Sequence, residues 1–145
     1  MPKMRITEKN ILITGTSGGI GKALAKHYLS MGNKVIGCSR KKSSLSDLNY
    51  THRLLDIANE KDVIKFFSFI RKEYSHLDVL INNAGIASMN HSLLTPIKTV
   101  EKILKTNIMG TFLFSREAVK IMKKNQTGRI INFSSIATPL KLEGE

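Results

Sequence analysis

The stretch Asn10–Gly21, NILITGTSGGIG, decides how the chain folds. Its first part, Ile11-Leu12-Ile13, is apolar with no polar alternation, the pattern of a strand covered on both faces of a parallel sheet. Gly15, Gly19 and Gly21 follow with the spacing G-x3-G-x-G. An amphipathic helix comes next, reading from about Gly19 to Ser30, with Ile20, Ala23, Leu24, His27, Tyr28 and Met31 on one side. The first amides of a helix lack intrahelical partners and attract anions. Glycines let the main chain turn tightly and let a pyrophosphate come close. With glycine near 7% of residues, such a spacing arises by chance in roughly 5% of chains this long. The glycines therefore carry weight only through the strand before them and the helix behind them.

Outward from this unit the chain alternates. Strands are expected at Asn10 to Thr14, Lys34 to Cys38, about Thr51 to Leu55, Val79 to Ile81, and Arg129 to Phe133. Gly32-Asn33 ends the first helix. Asn59 caps a second helix with Glu60 and Asp62 in its first turn, and its apolar residues Val63, Phe66, Phe67, Ile70 and Tyr74 share one face. Ala87 to Leu94 reads as a loop. Thr95-Pro96 reads as a cap with proline in the first helical position, opening a long helical stretch to about Lys124. No repeat interrupts the order. Strand and helix in alternation predict right-handed βαβ units and an α/β, doubly wound parallel sheet of Rossmann type, in one domain over residues 1–145. In such a sheet the ligand lies beyond the strand C-termini. Gly15, Ser39, Asp56, Asn82 and Ser134 all follow strand ends and are expected along that edge.

Composition bounds the function. The chain has 145 residues, 41% of them hydrophobic, enough for a real core. Its single cysteine, Cys38, excludes a disulfide framework and suits a reducing cytoplasm. The start, MPKMRITEKN, lacks the apolar region of a signal peptide, and no apolar run is long enough to span a membrane. The formal net charge is +12, which invites a nucleic-acid reading, but the lysines are scattered and aromatics make up only 6%. A basic surface equally suits anionic cofactors and acidic carrier proteins. No metal site, membrane or nucleic-acid partner is expected.

Five signals stand in register: Thr14-Gly15-x3-Gly19-Ile20-Gly21, Asp56 after the third strand, Asn82-Asn83-Ala84-Gly85 after the fourth, Asn107 in the long helix, and Ser134-Ser135 after the fifth. Together they resemble the short-chain dehydrogenase/reductase family over nearly the whole chain. The resemblance implies a dinucleotide on Gly15, Thr16, Ser17, Gly18, Gly19, Ile20 and Gly21. It implies an adenine contact from Asp56 and a backbone contact from Ile57. Asn83, Ala84 and Gly85 would line the ribose side, in a segment that also ties neighbouring strands together. Ser135 would hold the reacting oxygen of the substrate, and Asn107 would help organise a water in the proton relay. Bland alternatives stand beside these roles. Asp56 can simply end a strand, Asn107 can be a satisfied core amide on the apolar stripe of Val100, Ile103, Leu104, Ile108 and Thr111, and Ser134 reads as structural.

The end of the second strand speaks to cofactor choice. An NAD-selective fold usually places an acid there for the ribose 2′-hydroxyl. Here the residues are Cys38-Ser39-Arg40-Lys41-Lys42, with no acid. Ser39 can donate to a 2′-phosphate and Arg40 can pair with it through its guanidinium fork. NADP(H) is therefore expected over NAD(H), against the plainer reading of a solvated basic loop. The family's acid/base tyrosine, in a Tyr-x-x-x-Lys motif, would fall just beyond Glu145. Tyr28, Tyr50 and Tyr74 all precede Ser135 on other elements. The chain is thus expected to be the first part of a longer, oligomeric oxidoreductase that interconverts a ketone and a secondary alcohol. A 3-oxoacyl-carrier-protein reductase, with Lys120, Lys123, Lys124 and Arg129 facing the acidic carrier, and a sugar or small-ketone reductase both remain open. A nucleotide-binding regulatory or scaffold protein without turnover is the alternative from another class, and a basic nucleic-acid binder is a third.

Overall fold

The computed structural model describes residues 8–135. Five parallel strands form one sheet: β1 (Asn10–Thr14), β2 (Lys34–Ser39), β3 (Tyr50–Leu54), β4 (Val79–Asn82) and β5 (Arg129–Asn132), in the order β3-β2-β1-β4-β5. The connections carry α1 (Gly19–Ser30), α2 (Glu60–Glu73), and a pair of helices, α3 (Ile97–Ile103) and α4 (Thr111–Met122). Strand order reverses between β1 and β4. The expected doubly wound Rossmann architecture is what the chain adopts, and its switch point lies at that reversal.

Period-two alternation is hidden inside the apolar run of β1. Ile11 and Ile13 join Val35, Ile81 and Ala25 on the face that α1 covers. Leu12 points the other way, into a larger core with Ile36, Leu80, Phe67 and Phe114 beneath α2 and α4. All three β1 side chains are wholly buried. The Asn59 cap is formed as expected, its Oδ1 accepting from the amides of Lys61 and Asp62 at 3.1 and 3.3 Å. Val63, Phe66, Phe67 and Ile70 of α2 are buried, with Tyr74 at the helix C-cap half-buried.

Several expectations shift. β2 runs one residue further, to Ser39, β4 reaches Asn82, β3 is displaced one residue towards the N-terminus, and β5 stops at Asn132. Pro96 is the N-cap of α3, with extended backbone, and does not occupy the first helical position. The loop before it contains a single 3₁₀ turn, Ser92–Leu94. The long helix is not continuous: Leu104–Gly110 forms a π-helical turn between α3 and α4. α1 packs through Gly21 and Ala25, with Leu24, Tyr28 and Leu29 beside them, while Ile20 stays 60% exposed. The packed stripe is rotated because the smallest side chains allow the closest approach to the sheet. Likewise Val100, Leu104 and Ile108 are exposed among the described residues, so the stripe around Asn107 is not a buried one here.

α2 and α4 are joined by a charge cluster around Glu117, which is buried on α4. Lys120 Nζ and Arg116 Nε donate to its Oε1, the latter at 3.1 Å, and Arg71 of α2 lies 3.7 Å from its Oε2. Arg116 also reaches Glu60 at 2.8 Å. Burial alone would raise the Glu117 carboxyl. The hydrogen bonds and charges of Lys120 and Arg116 more than compensate, and its pKa lies below the usual value. Because the folded value is depressed, this stabilisation is present above the unfolded carboxyl value near 4.3 and is lost as pH falls through the folded one. Glu117→Gln should lower stability by about 1–3 kcal/mol at pH 7. In urea denaturation, the gap from the native protein should close below about pH 4.

Candidate functional site

The site is built where β1 and β4 part. The Thr14 hydroxyl, at the end of β1, accepts from the main-chain amides of Asn83 and Ala84 at 3.0 and 2.9 Å. The Asn83 side-chain amide answers by donating to the Thr14 carbonyl at 2.9 Å. On the other side, the Gly15 and Thr16 amides donate to the Cys38 carbonyl at 2.7 and 3.3 Å. The C-terminal ends of β2, β1 and β4 are thereby stitched into one floor.

Two glycines are forced by this stitching. Gly15 takes φ +80°, and a Cβ there would stand 2.9 Å from the Asn83 side-chain nitrogen. A Cβ on Gly21 would run into the Gly15 carbonyl and the same Asn83 amide. The first turn of α1 is therefore pressed against the strand end. Gly18, its extended N-cap residue, puts no side chain over the first amides, and no acid sits in that turn. An anion placed there meets unpaired helix-start amides and the positive end of the helix dipole.

Above the floor lies a cleft of about 640 Å³. Gly15, Ser17 and Gly18 border it from the glycine turn, Ser39 and Arg40 from the end of β2, Asp56 and Ile57 from beyond β3, and Asn83, Ala84 and Gly85 from beyond β4. Thr16, Gly19, Ile20 and Gly21 are not in its lining. Thr16 is wholly buried, its Oγ1 accepting from the Tyr50 hydroxyl at 2.9 Å and its carbonyl from Ser43 at 3.1 Å. Gly19 takes φ +52° at the start of α1. Leu55, Ile86 and Thr106 join the lining without having been singled out in the sequence, and Lys41 joins it from the basic run at 40 to 42. Leu55, Ile86 and Thr106 had no signal beyond their nearness to Asp56, Gly85 and Asn107.

The cleft residues differ in what their polar groups already do. Asp56 Oδ1 accepts from the Ala58 amide at 3.0 Å, an Asx turn that brings the carboxylate to the cleft border. Ser39 is 9% exposed, and its hydroxyl donates to the Lys41 carbonyl at 2.7 Å. The single proton expected to meet a 2′-phosphate is thus engaged within the loop. Burial pushes the neighbouring Cys38 thiol far up, so it is no thiolate nucleophile.

Of the strand-end residues, Asn82 turns away from the cleft. Its amide donates to Asn132 of β5 at 2.8 Å and to Ser115 of α4 at 3.1 Å, which ties strands as the sequence suggested. Asn107 lies on the π-helical turn, outside the lining, and pairs with the Ile86 backbone through both its atoms. Oδ1 accepts from the Ile86 amide at 2.9 Å and Nδ2 donates to the Ile86 carbonyl at 2.8 Å. Ser134 and Ser135 are exposed beyond the end of β5 and do not border the cleft. The hydroxyls of Tyr50 and Tyr74 are bound to Thr16 and Thr51 at the β3 edge, across the sheet from β5.

A family model described as short chain dehydrogenase matches residues 9–144. The chain belongs to the short chain dehydrogenase family. It is 33% identical over 146 residues to human Dehydrogenase/reductase SDR family member 11, covering 92% of this chain and 56% of that one. It is 39% identical over 137 residues to the 3-oxoacyl-[acyl-carrier-protein] reductase FabG of Rickettsia typhi, covering 90% and 55%. Among solved structures, a short chain dehydrogenase from Leptospira borgpetersenii with bound NAD+ superposes with a TM-score of 0.91 at 29% identity, over 96% of this chain and 56% of that one. A single-residue variant of ElxO with NADPH bound superposes with a TM-score of 0.87 at 33% identity, over 95% and 60%. The chain thus spans a little over half the length of the curated relatives it matches. Among the described residues, no helix is long and apolar enough to cross a membrane.

The floor of this family site can be tested without a ligand. Thr14→Val keeps the side-chain shape and removes the acceptor for two amides. It should cost roughly 1–3 kcal/mol for each amide left without a partner, and Thr14→Ser should restore most of the loss. Urea-induced unfolding of the three proteins reads the difference.

Proposed function

We propose that this chain carries the NADP(H)-binding part of an oxidoreductase that interconverts a ketone and a secondary alcohol. One observation supports this above the others: an uncapped helix start at Gly18 and the basic Arg40 and Lys41 border a single cleft at the sheet's switch point. The residues present fit the cofactor. Gly15, Ser17 and Gly18 would hold its diphosphate, with Thr16, Gly19, Ile20 and Gly21 shaping the turn behind them. Asp56 would accept from the adenine amine, with Ile57 beside it. Asn83, Ala84 and Gly85 would line the ribose side. Arg40 would pair with the ribose 2′-phosphate, and no acid in the Ser39–Lys42 segment opposes that charge.

When bound, the cofactor supplies or accepts the hydride. The protein's part is placement. Ser135 would hold the substrate oxygen by a hydrogen bond without acting as a nucleophile. Asn107 would act behind it, keeping the β4 loop in place through Ile86 while supporting the proton relay. The similarity to a carrier-protein reductase favours a 3-ketone on an acyl carrier. An aldohexose dehydrogenase from Thermoplasma acidophilum, 32% identical with a TM-score of 0.83, keeps a sugar substrate in view.

Dissociation constants for NADPH and NADH test the cofactor reading, and tighter NADPH is expected. Arg40→Ala should weaken NADPH about tenfold, in the range of a charge-assisted hydrogen bond, and leave NADH nearly unchanged. Equal or tighter NADH binding by the unaltered protein would remove the NADP(H) assignment.

A further inference from the structure

Ser39 has one hydroxyl proton, and its surroundings decide where that proton points. The oxygen lies 2.7 Å from the Lys41 carbonyl and 2.8 Å from Nε2 of His52. A carbonyl can only accept, so Ser39 donates to Lys41 and must accept from His52. His52 therefore carries its proton on Nε2. It stands half-buried on β3, opposite Gly37 of β2 in the sheet register. Burial lowers its pKa, which favours the neutral ring, and the bond to Ser39 places that ring's one proton on Nε2.

The bond from His52 reaches the cleft through the loop. Ser39 sits at the last position of β2, and its carbonyl also receives the Leu55 amide at 3.1 Å. Its side chain then closes a turn onto Lys41, two residues on. Arg40 and Lys41, the basic residues of that turn, both border the cleft. Further along the same loop, Ser43 donates to the Thr16 carbonyl at 3.1 Å and Lys22 of α1 donates to Ser44 at 2.6 Å. The basic segment is thus fastened at both ends, and at the β2 end the fastening hydroxyl of Ser39 is itself held by His52.

We infer that His52 is a positioning residue for cofactor discrimination: through Ser39 it holds the turn that presents Arg40 and Lys41 to an anionic group on the nucleotide ribose. This rests on the NADP(H) reading above. His52 touches neither the cleft nor the ligand. Ser39 serves as a strut for the loop, and the phosphate contact falls to the two cations.

Titration with NADPH and with NADH tests the inference in the unaltered protein, His52→Ala, His52→Gln, Ser39→Ala and the double variant. His52→Ala should weaken NADPH by about 3- to 10-fold, the range of one lost hydrogen bond, and leave NADH within about twofold. His52→Gln, which keeps an N–H donor on a side chain of similar reach, should recover most of the loss. Ser39→Ala should lower NADPH affinity to a similar degree, and the double variant should be no weaker than either single one, because the two residues act in series. If NADH falls in parallel with NADPH, or the two losses add, the inference is overturned while the NADP(H) reading stands. If His52→Ala does not fold, Ser39→Ala decides on the same NADPH-to-NADH ratio. If the unaltered protein already prefers NADH, the NADP(H) reading falls first and this inference falls with it.

Discussion

A threonine hydroxyl carries the constraint on which the site depends. Where the strand order reverses, β1 and β4 stop pairing and their following loops diverge. Amides just past that point have lost their ladder partners and need others. Thr14 accepts two of them, from Asn83 and Ala84, and the Asn83 side chain closes the ring onto the Thr14 carbonyl. The crevice thus begins at a fixed place with a polar floor already satisfied. Gly15 and Gly21 are then required by the protein itself, since any Cβ at either position would meet the Asn83 amide. The close approach that suits a diphosphate follows from packing that exists before any ligand arrives.

The positive charge of the chain divides by location into different roles. Arg116, Lys120 and Arg71 surround the buried Glu117 and join α2 to α4. Arg53 lies over the Phe69 ring at 4.2 Å, on the outer side of the β3 edge. Arg40 and Lys41 instead stand at the cleft, on a loop held from below and from α1. A net charge read from composition cannot separate a cation that neutralises a buried carboxylate from one that borders an open cleft. The fold separates them, because parallel topology delivers every β2 and β3 loop to the same edge of the sheet.

Most of the architecture was legible in the sequence, and the reasons are physical. Unbroken apolar runs mark strands covered on both faces, and the Asn59 cap and the α2 face follow local rules that tertiary packing did not override. What failed was rotation and interruption. The α1 face was read from the largest apolar residues, yet packing selected the smallest, Gly21 and Ala25. The π-helical turn within the long helix has no apolar periodicity to announce it. In the site, residues of the glycine turn, the β2 end and the β4 loop border one cleft. Some of the contacts that hold them came from residues with no motif of their own, Ile86 and His52. Long-range hydrogen bonds leave no trace in spacing, because their partners lie far apart along the chain.

The π-helical turn and Asn107 explain one another. A π turn accommodates one residue more than an α-helical turn and shifts the side chains beyond it around the axis. Asn107 falls within that turn, and its amide matches the backbone of Ile86 atom for atom, donor to carbonyl and oxygen to N–H. A β-branched or aliphatic residue at this place would leave both Ile86 groups to find other partners. The pairing pins the segment that runs from Asn83 through Gly85 to the cleft border, so the long helix takes part in shaping the cleft without lining it at Asn107. An asparagine amide has two N–H groups and two acceptor directions on its oxygen. One of each is engaged by Ile86, which leaves the same side chain the capacity for a second donor and a second acceptor contact. A structural amide and a relay amide are therefore compatible roles for one residue, and the choice posed by the sequence between them does not have to be made.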